Sequence, residues 1–75
     1  MQQVYVRFRD VDQVTRFINT VSRMEPAFDL GTGNNVVNAK SLIGVFTLDL
    51  SQPQLLRFNS DDRKIYEELE PFLEG

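Results

Sequence analysis

The stretch Val4-Tyr5-Val6-Arg7-Phe8-Arg9-Asp10-Val11-Asp12-Gln13-Val14-Thr15-Arg16-Phe17-Ile18-Asn19-Thr20-Val21 decides how the chain folds, because its hydrophobic period changes partway along. Val4, Val6 and Phe8 alternate with Tyr5, Arg7 and Arg9, the period of two that a half-buried strand shows. After Asp10 the apolar residues fall at Val11, Val14, Phe17, Ile18 and Val21, which gathers them into one stripe of an amphipathic helix over 11–23. Asp10, with Gln13 three residues on, has the form of a capping box, in which the carboxylate accepts hydrogen bonds from first-turn amides. Asp12 adds negative charge where the helix dipole favours it. Pro26 bars the helix from running beyond Glu25.

Working outward, residues 27–30 read as a short extended segment with Phe28 and Leu30 on one side. Gly31-Thr32-Gly33-Asn34-Asn35 is a dense turn signal, rich in residues that tolerate positive φ, and 36–39 reads as the returning strand of a hairpin. Lys40-Ser41 then introduces Leu42, Ile43, Val45 and Phe46, a spacing that suits a short helix capped by Ser41. Leu48 and Leu50 lead into a loop ended by Ser51-Gln52-Pro53, and Leu55, Leu56 and Phe58 form a fourth strand. Asn59, Ser60, Asp61 and Asp62 supply caps for a last helix with the stripe Ile65, Tyr66, Leu69, Phe72 and Leu73. Pro71 inside that stripe is expected to kink or fray its final turn. The predicted order is β-α-β-β-α-β-α in a single domain over 1–75, an α+β two-layer sandwich whose hairpin makes at least part of the sheet antiparallel.

Composition narrows the chemistry. The 75 residues include no histidine, which removes imidazole bases and phosphohistidine, and no cysteine, which removes disulfides, thiolate nucleophiles and the usual zinc ligands. At 41% hydrophobic and 25% charged with mixed signs, the chain is expected to fold, with its six phenylalanines supplying much of the core. The net charge of -3, with basic residues scattered along the chain, argues against nucleic acid as a partner. No apolar run approaches the roughly 20 residues that span a bilayer, so no membrane association is expected. The polar N-terminus reads as a strand rather than a leader, and a cytoplasmic location is expected.

Asn38-Ala39-Lys40-Ser41-Leu42-Ile43-Gly44-Val45, followed by Thr47-Leu48 and Leu50, is similar to a stretch of HPr, the histidine-containing phosphocarrier family of the bacterial sugar phosphotransferase system. With the order of elements, the resemblance covers essentially the whole chain. It implies an HPr-like open-faced sandwich, four antiparallel strands covered on one face by three helices. Aligned on Phe17-Ile18, the family's phosphorylated histidine falls at Asp10, its arginine at Asp12 and its proline at Gln13. The resemblance therefore implies a divergent member that cannot relay phosphate in the family's way. It retains the serine of the Lys-Ser pair as Ser41, the regulatory site that a bifunctional kinase/phosphorylase modifies in HPr of Gram-positive type. Paralogues with the same residue logic act with a transcription factor in catabolite repression.

Each singled-out residue also has a plainer reading. A helix cap worth about 1 kcal/mol accounts for Ser41 without phosphorylation. Ile43, Val45 and Phe46 suit core packing, but a helix this short must turn some of its apolar residues outward, and Ile43 and Phe46, with Leu42, are the docking candidates. Asp10 reads foremost as an N-cap, then as a fixed charge imitating a phosphorylated state. An aspartyl-phosphate role would need a held Mg²⁺ and a positioned lysine, and only Asp12 is near in sequence. Asp61-Asp62 and Glu67, Glu68 and Glu70 read as a cap and a solvated face, and Gly31-Thr32-Gly33 as a hairpin turn rather than a phosphate loop. The expectation is a regulatory protein-binding module, with no enzyme activity, cofactor or metal. The alternative is a constitutive protein-protein interaction domain on the same scaffold, with no phosphorylation role.

Overall fold

The computed structural model describes residues 1–74, which run β1 (Gln2–Val6), α1 (Val11–Ser22), β2 (Phe28–Leu30), β3 (Val37–Asn38), α2 (Leu42–Val45), β4 (Gln54–Phe58) and α3 (Arg63–Leu69), followed by a 3-10 turn over Glu70–Phe72. The strands form one antiparallel sheet in the order β1-β4-β2-β3. Pairing of Val4 with Leu56 on one side and Leu30 with Leu56 on the other makes β4 a central strand, although it comes last in the chain. The α+β two-layer arrangement predicted from the sequence is present.

The alternation along the strands sorts their side chains. Val6, Phe28, Leu30, Leu56 and Phe58 face the helices and are buried, while Gln3, Tyr5 and Asp29 remain exposed on the other face. From α1, Val14, Phe17, Ile18 and Val21 complete one core cluster with the sheet. At about 1.5–3 kcal/mol for each large side chain removed from water, this stripe holds α1 far more firmly than its helix propensity does. Val11, expected in the same stripe, is 65% exposed. It is the first residue of α1 and lines a small surface cleft with Phe46 instead of reaching the core.

Two aromatic clusters organise the core. Phe8, Phe17 and Phe72 pack with ring centroids 5.1 to 6.3 Å apart, and Phe28, Phe58 and Tyr66 form the second group, at 5.1 and 5.6 Å. Five of the six phenylalanines are buried, and Phe46 is the exception.

Pro71 acts as its chemistry requires. Helix α3 stops at Leu69, and the chain tightens into the 3-10 turn with proline near its start. The chain then runs antiparallel beside β1: Arg7 N donates to Phe72 O at 2.8 Å and Glu74 N donates to Tyr5 O at 2.9 Å. The returning strand β3 is shorter than the four residues predicted, because Asn38 already turns the chain. Its side chain accepts from Lys40 N and its carbonyl from Ser41 N, both at 2.9 Å.

The turn between β2 and β3 depends on two glycines in unequal ways. Gly31 has φ +114°, and a Cβ there would stand 2.1 Å from Asn35 O. Gly33 has φ +60° and open space around it. Gly33→Ala is expected to cost about 1 kcal/mol, the ordinary penalty of the left-handed region. Gly31→Ala must also move backbone, and is expected to cost clearly more. Urea unfolding followed by circular dichroism measures both; equal losses would show that the turn is not closed around Gly31.

Candidate functional site

Two neighbourhoods hold the residues singled out by sequence. The first is the entry to α1. Asp10 is the N-cap in extended conformation, and its carboxylate accepts from Gln13 N at 2.8 Å. The Gln13 side chain makes two further bonds. Its Oε1 accepts from Arg9 N at 2.7 Å, and its Nε2 donates to Pro71 O at 3.1 Å. The capping box thus closes on the amide one residue before the cap, and the same glutamine ties α1 to the 3-10 turn. Asp12, on the exposed side of the first turn, pairs with Arg16 at 3.1 Å. Sequence reasoning gave Gln13 only its capping half, because its second partner lies 58 residues away.

The second neighbourhood is the turn into α2. Ser41 is half-buried and in extended conformation, and its Oγ accepts from Gly44 N at 3.1 Å, which makes it the N-cap. Gly44 is packed tightly, since a Cβ there would lie 3.2 Å from Ser41 Oγ and 3.3 Å from a Val37 side-chain carbon. Lys40 points away from the serine. Its Nζ donates to Met24 O at 2.6 Å, just beyond the end of α1, and lies 5.8 Å from the centre of the Phe28 ring. The lysine therefore joins the end of α1 to the turn before α2, a role that nothing local in the sequence signals.

Around Ser41 the apolar side chains diverge. Val45 is fully buried, whereas Leu42 is 53%, Ile43 82% and Phe46 42% exposed. One buried residue anchors α2, and three large apolar side chains are left in solvent. The two neighbourhoods meet at one place: Asp10, Val11, Phe46 and Ser51 are among the residues lining a shallow cleft of about 220 Å³ between the start of α1 and the end of α2. Ser41 itself is not on that cleft.

Among the described residues no group of three or more acidic side chains is placed to hold a metal ion, and every buried side-chain nitrogen or oxygen has a hydrogen-bond partner. No helix of the described residues is long and apolar enough to cross a membrane. What the arrangement offers is a capped serine at the head of a short helix whose Leu42 and Ile43, with the adjoining Phe46, are exposed. No protein-family model matches the chain, and searches of curated proteins and of solved structures found no match either.

The double role of Gln13 sets an order of stabilities. Asp10→Ala removes one cap bond and is expected to cost about 1 kcal/mol, while Asp10→Ser keeps an acceptor and restores most of it. Gln13→Ala leaves both the Arg9 amide and the tie to Pro71 unmade, and should cost at least as much as Asp10→Ala. Thermal or urea melts of the three variants check the ranking; a silent Gln13→Ala would show that the tie carries no weight.

Proposed function

We propose that the chain is a regulatory binding module of the HPr-like kind, unable to carry phosphate on histidine, and that Ser41 is its modifiable residue. The observation that carries the reading is the setting of Ser41: it caps a helix of four residues whose Leu42 and Ile43, with the adjoining Phe46, are exposed. Burying these side chains against a partner recovers the hydrophobic free energy that folding leaves unused. The element order β-α-β-β-α-β-α and the stretch over 38–45 support the same reading. Phosphorylation would add about -1.5 to -2 charge beside this patch and change what a partner meets there without unfolding the core. The partners proposed are a kinase/phosphorylase of the HPr type and a transcriptional regulator, in a cytoplasmic setting.

Asp10 has a structural part in this proposal. Its carboxylate is engaged with the Gln13 amide at the head of α1, where the resemblance would put the phosphohistidine. Incubation with phosphoenolpyruvate and the first enzyme of the phosphotransferase system is expected to leave the protein unlabelled.

A second reading is that the patch docks a partner constitutively. It is favoured by the half-buried position of Ser41, whose hydroxyl is already committed to Gly44 N. Incubation with an HPr kinase and ATP, followed by intact-mass measurement, separates the two. Regulation predicts a gain of one phosphate that Ser41→Ala abolishes; no gain, or a gain that survives Ser41→Ala, sinks it. Constitutive docking predicts partner capture that Ser41→Asp leaves unchanged and Phe46→Ala removes.

A further inference from the structure

Helix α2 has little of its own to hold it. It is four residues long, too short to stand alone in water, and Val45 is its one buried side chain. Polar bonds fix the turn that leads into it. Asn38 accepts from the backbone amides of Lys40 and Ser41, and Ser41 in turn accepts from Gly44 N at its Oγ and from Val45 N at its carbonyl. Of the side chains of Asn38, Lys40 and Ser41, only that of Lys40 reaches out of this corner. Its Nζ donates at 2.6 Å to Met24 O, 16 residues earlier and just past the C-cap of α1. Helix α1 has no basic residue in its last turn, so Lys40 brings from another element the positive charge that the C-terminal end of a helix dipole favours. The ammonium is half-buried, 5.8 Å from the centre of the Phe28 ring, and makes no ion pair among the described residues.

We propose that Lys40 makes the last turn of α1 and the Ser41 corner a single opening unit, so that a change at one end is felt at the other. Lifting α2 off the core carries Lys40 with it and strips Met24 O of its donor. Fraying the end of α1 removes the acceptor and leaves a half-buried ammonium without a partner, which is unfavourable until the corner opens as well. Each opening therefore favours the other, and the coupling is reciprocal. A partner seated on the exposed Leu42, Ile43 and Phe46 holds the corner shut and so tightens the end of α1 too. The inference stands whether or not Ser41 is ever phosphorylated, so its failure and that of the proposed regulation are separate results.

The test is amide hydrogen exchange on the full chain, with two groups of reporters. Arg23 N and Met24 N are bonded to Thr20 O and Val21 O at the end of α1, and Gly44 N and Val45 N are bonded to Ser41. Lys40→Met keeps an unbranched side chain and removes its charge and donors. It is expected to speed exchange about tenfold in both groups, while the β1–β4 ladder stays within about twofold of the unaltered protein. Lys40→Arg keeps charge and donors and should recover most of the protection. Ser41→Ala removes only the α2 cap, yet should speed Arg23 and Met24 as well as Gly44 and Val45; added to Lys40→Met, it should speed Gly44 and Val45 alone. Acceleration confined to one group, equal acceleration of the ladder, or Lys40→Arg exchanging as fast as Lys40→Met would each overturn the proposal. If Lys40→Met does not fold, Ser41→Ala decides: unchanged Arg23 and Met24 amides overturn the coupling.

Discussion

The packing of Phe8, Phe17 and Phe72 is the contact on which the arrangement rests. The three rings come from the end of the first strand's run, the middle of α1 and the 3-10 turn near the C-terminal end of the described chain. Each is nearly free of solvent, and the edge-on geometry of the Phe17 pairs is the one aromatic quadrupoles favour. Around the rings, polar bonds follow the same path: Gln13 reaches Pro71, Arg7 reaches Phe72, and Glu74 reaches Tyr5. In a domain this small, with a limited core, joining the two ends of the chain gives β1 a neighbour on each side.

This constraint divides the surface into two kinds of helix start. The head of α1 is satisfied from within the molecule, by Asp10 and Gln13, and pinned by the C-terminal turn. The head of α2 is capped as well, but α2 is too short to bury more than Val45. Its other large side chains therefore face solvent beside Ser41. That contrast motivates the proposed function: a closed structural corner at Asp10, and an unfinished apolar surface at Ser41.

Much of this was legible from residue order. The change of period at Asp10 predicts β1 and α1; the glycines and asparagines of 31–35 predict the hairpin, Ser41 is the cap its position suggests, and Asp62 is the one of the four candidates at 59–62 that caps the last helix. The misreadings have a common cause. Val11 fits the helical stripe by spacing, but the core lies further along the helix, so spacing alone cannot show that it is exposed. Gln13 and Lys40 each bond partners far away in the chain, Pro71 and Met24, and local pattern carries no trace of such pairs. The reading of the basic residues as scattered misses that Arg9, Arg16 and Arg23 line one cleft, whose opposite wall is supplied by α3 and the turn after it. At the Ser41 site the sequence supplied the residues and the resemblance, and the fold supplied the exposure of Leu42, Ile43 and Phe46.

Amide hydrogen exchange followed residue by residue by NMR tests the central claim, that the C-terminal turn, β1 and the head of α1 form one closed unit. The amides of Arg7, Arg9, Gln13 and Glu74 are each bonded within that unit. The account predicts that they exchange slowly and open together, with protection approaching that of the β1–β4 ladder. Fast exchange at Arg7 and Glu74, with the ladder still protected, would contradict it: the turn would then be a loose end, and the corner at Asp10 open.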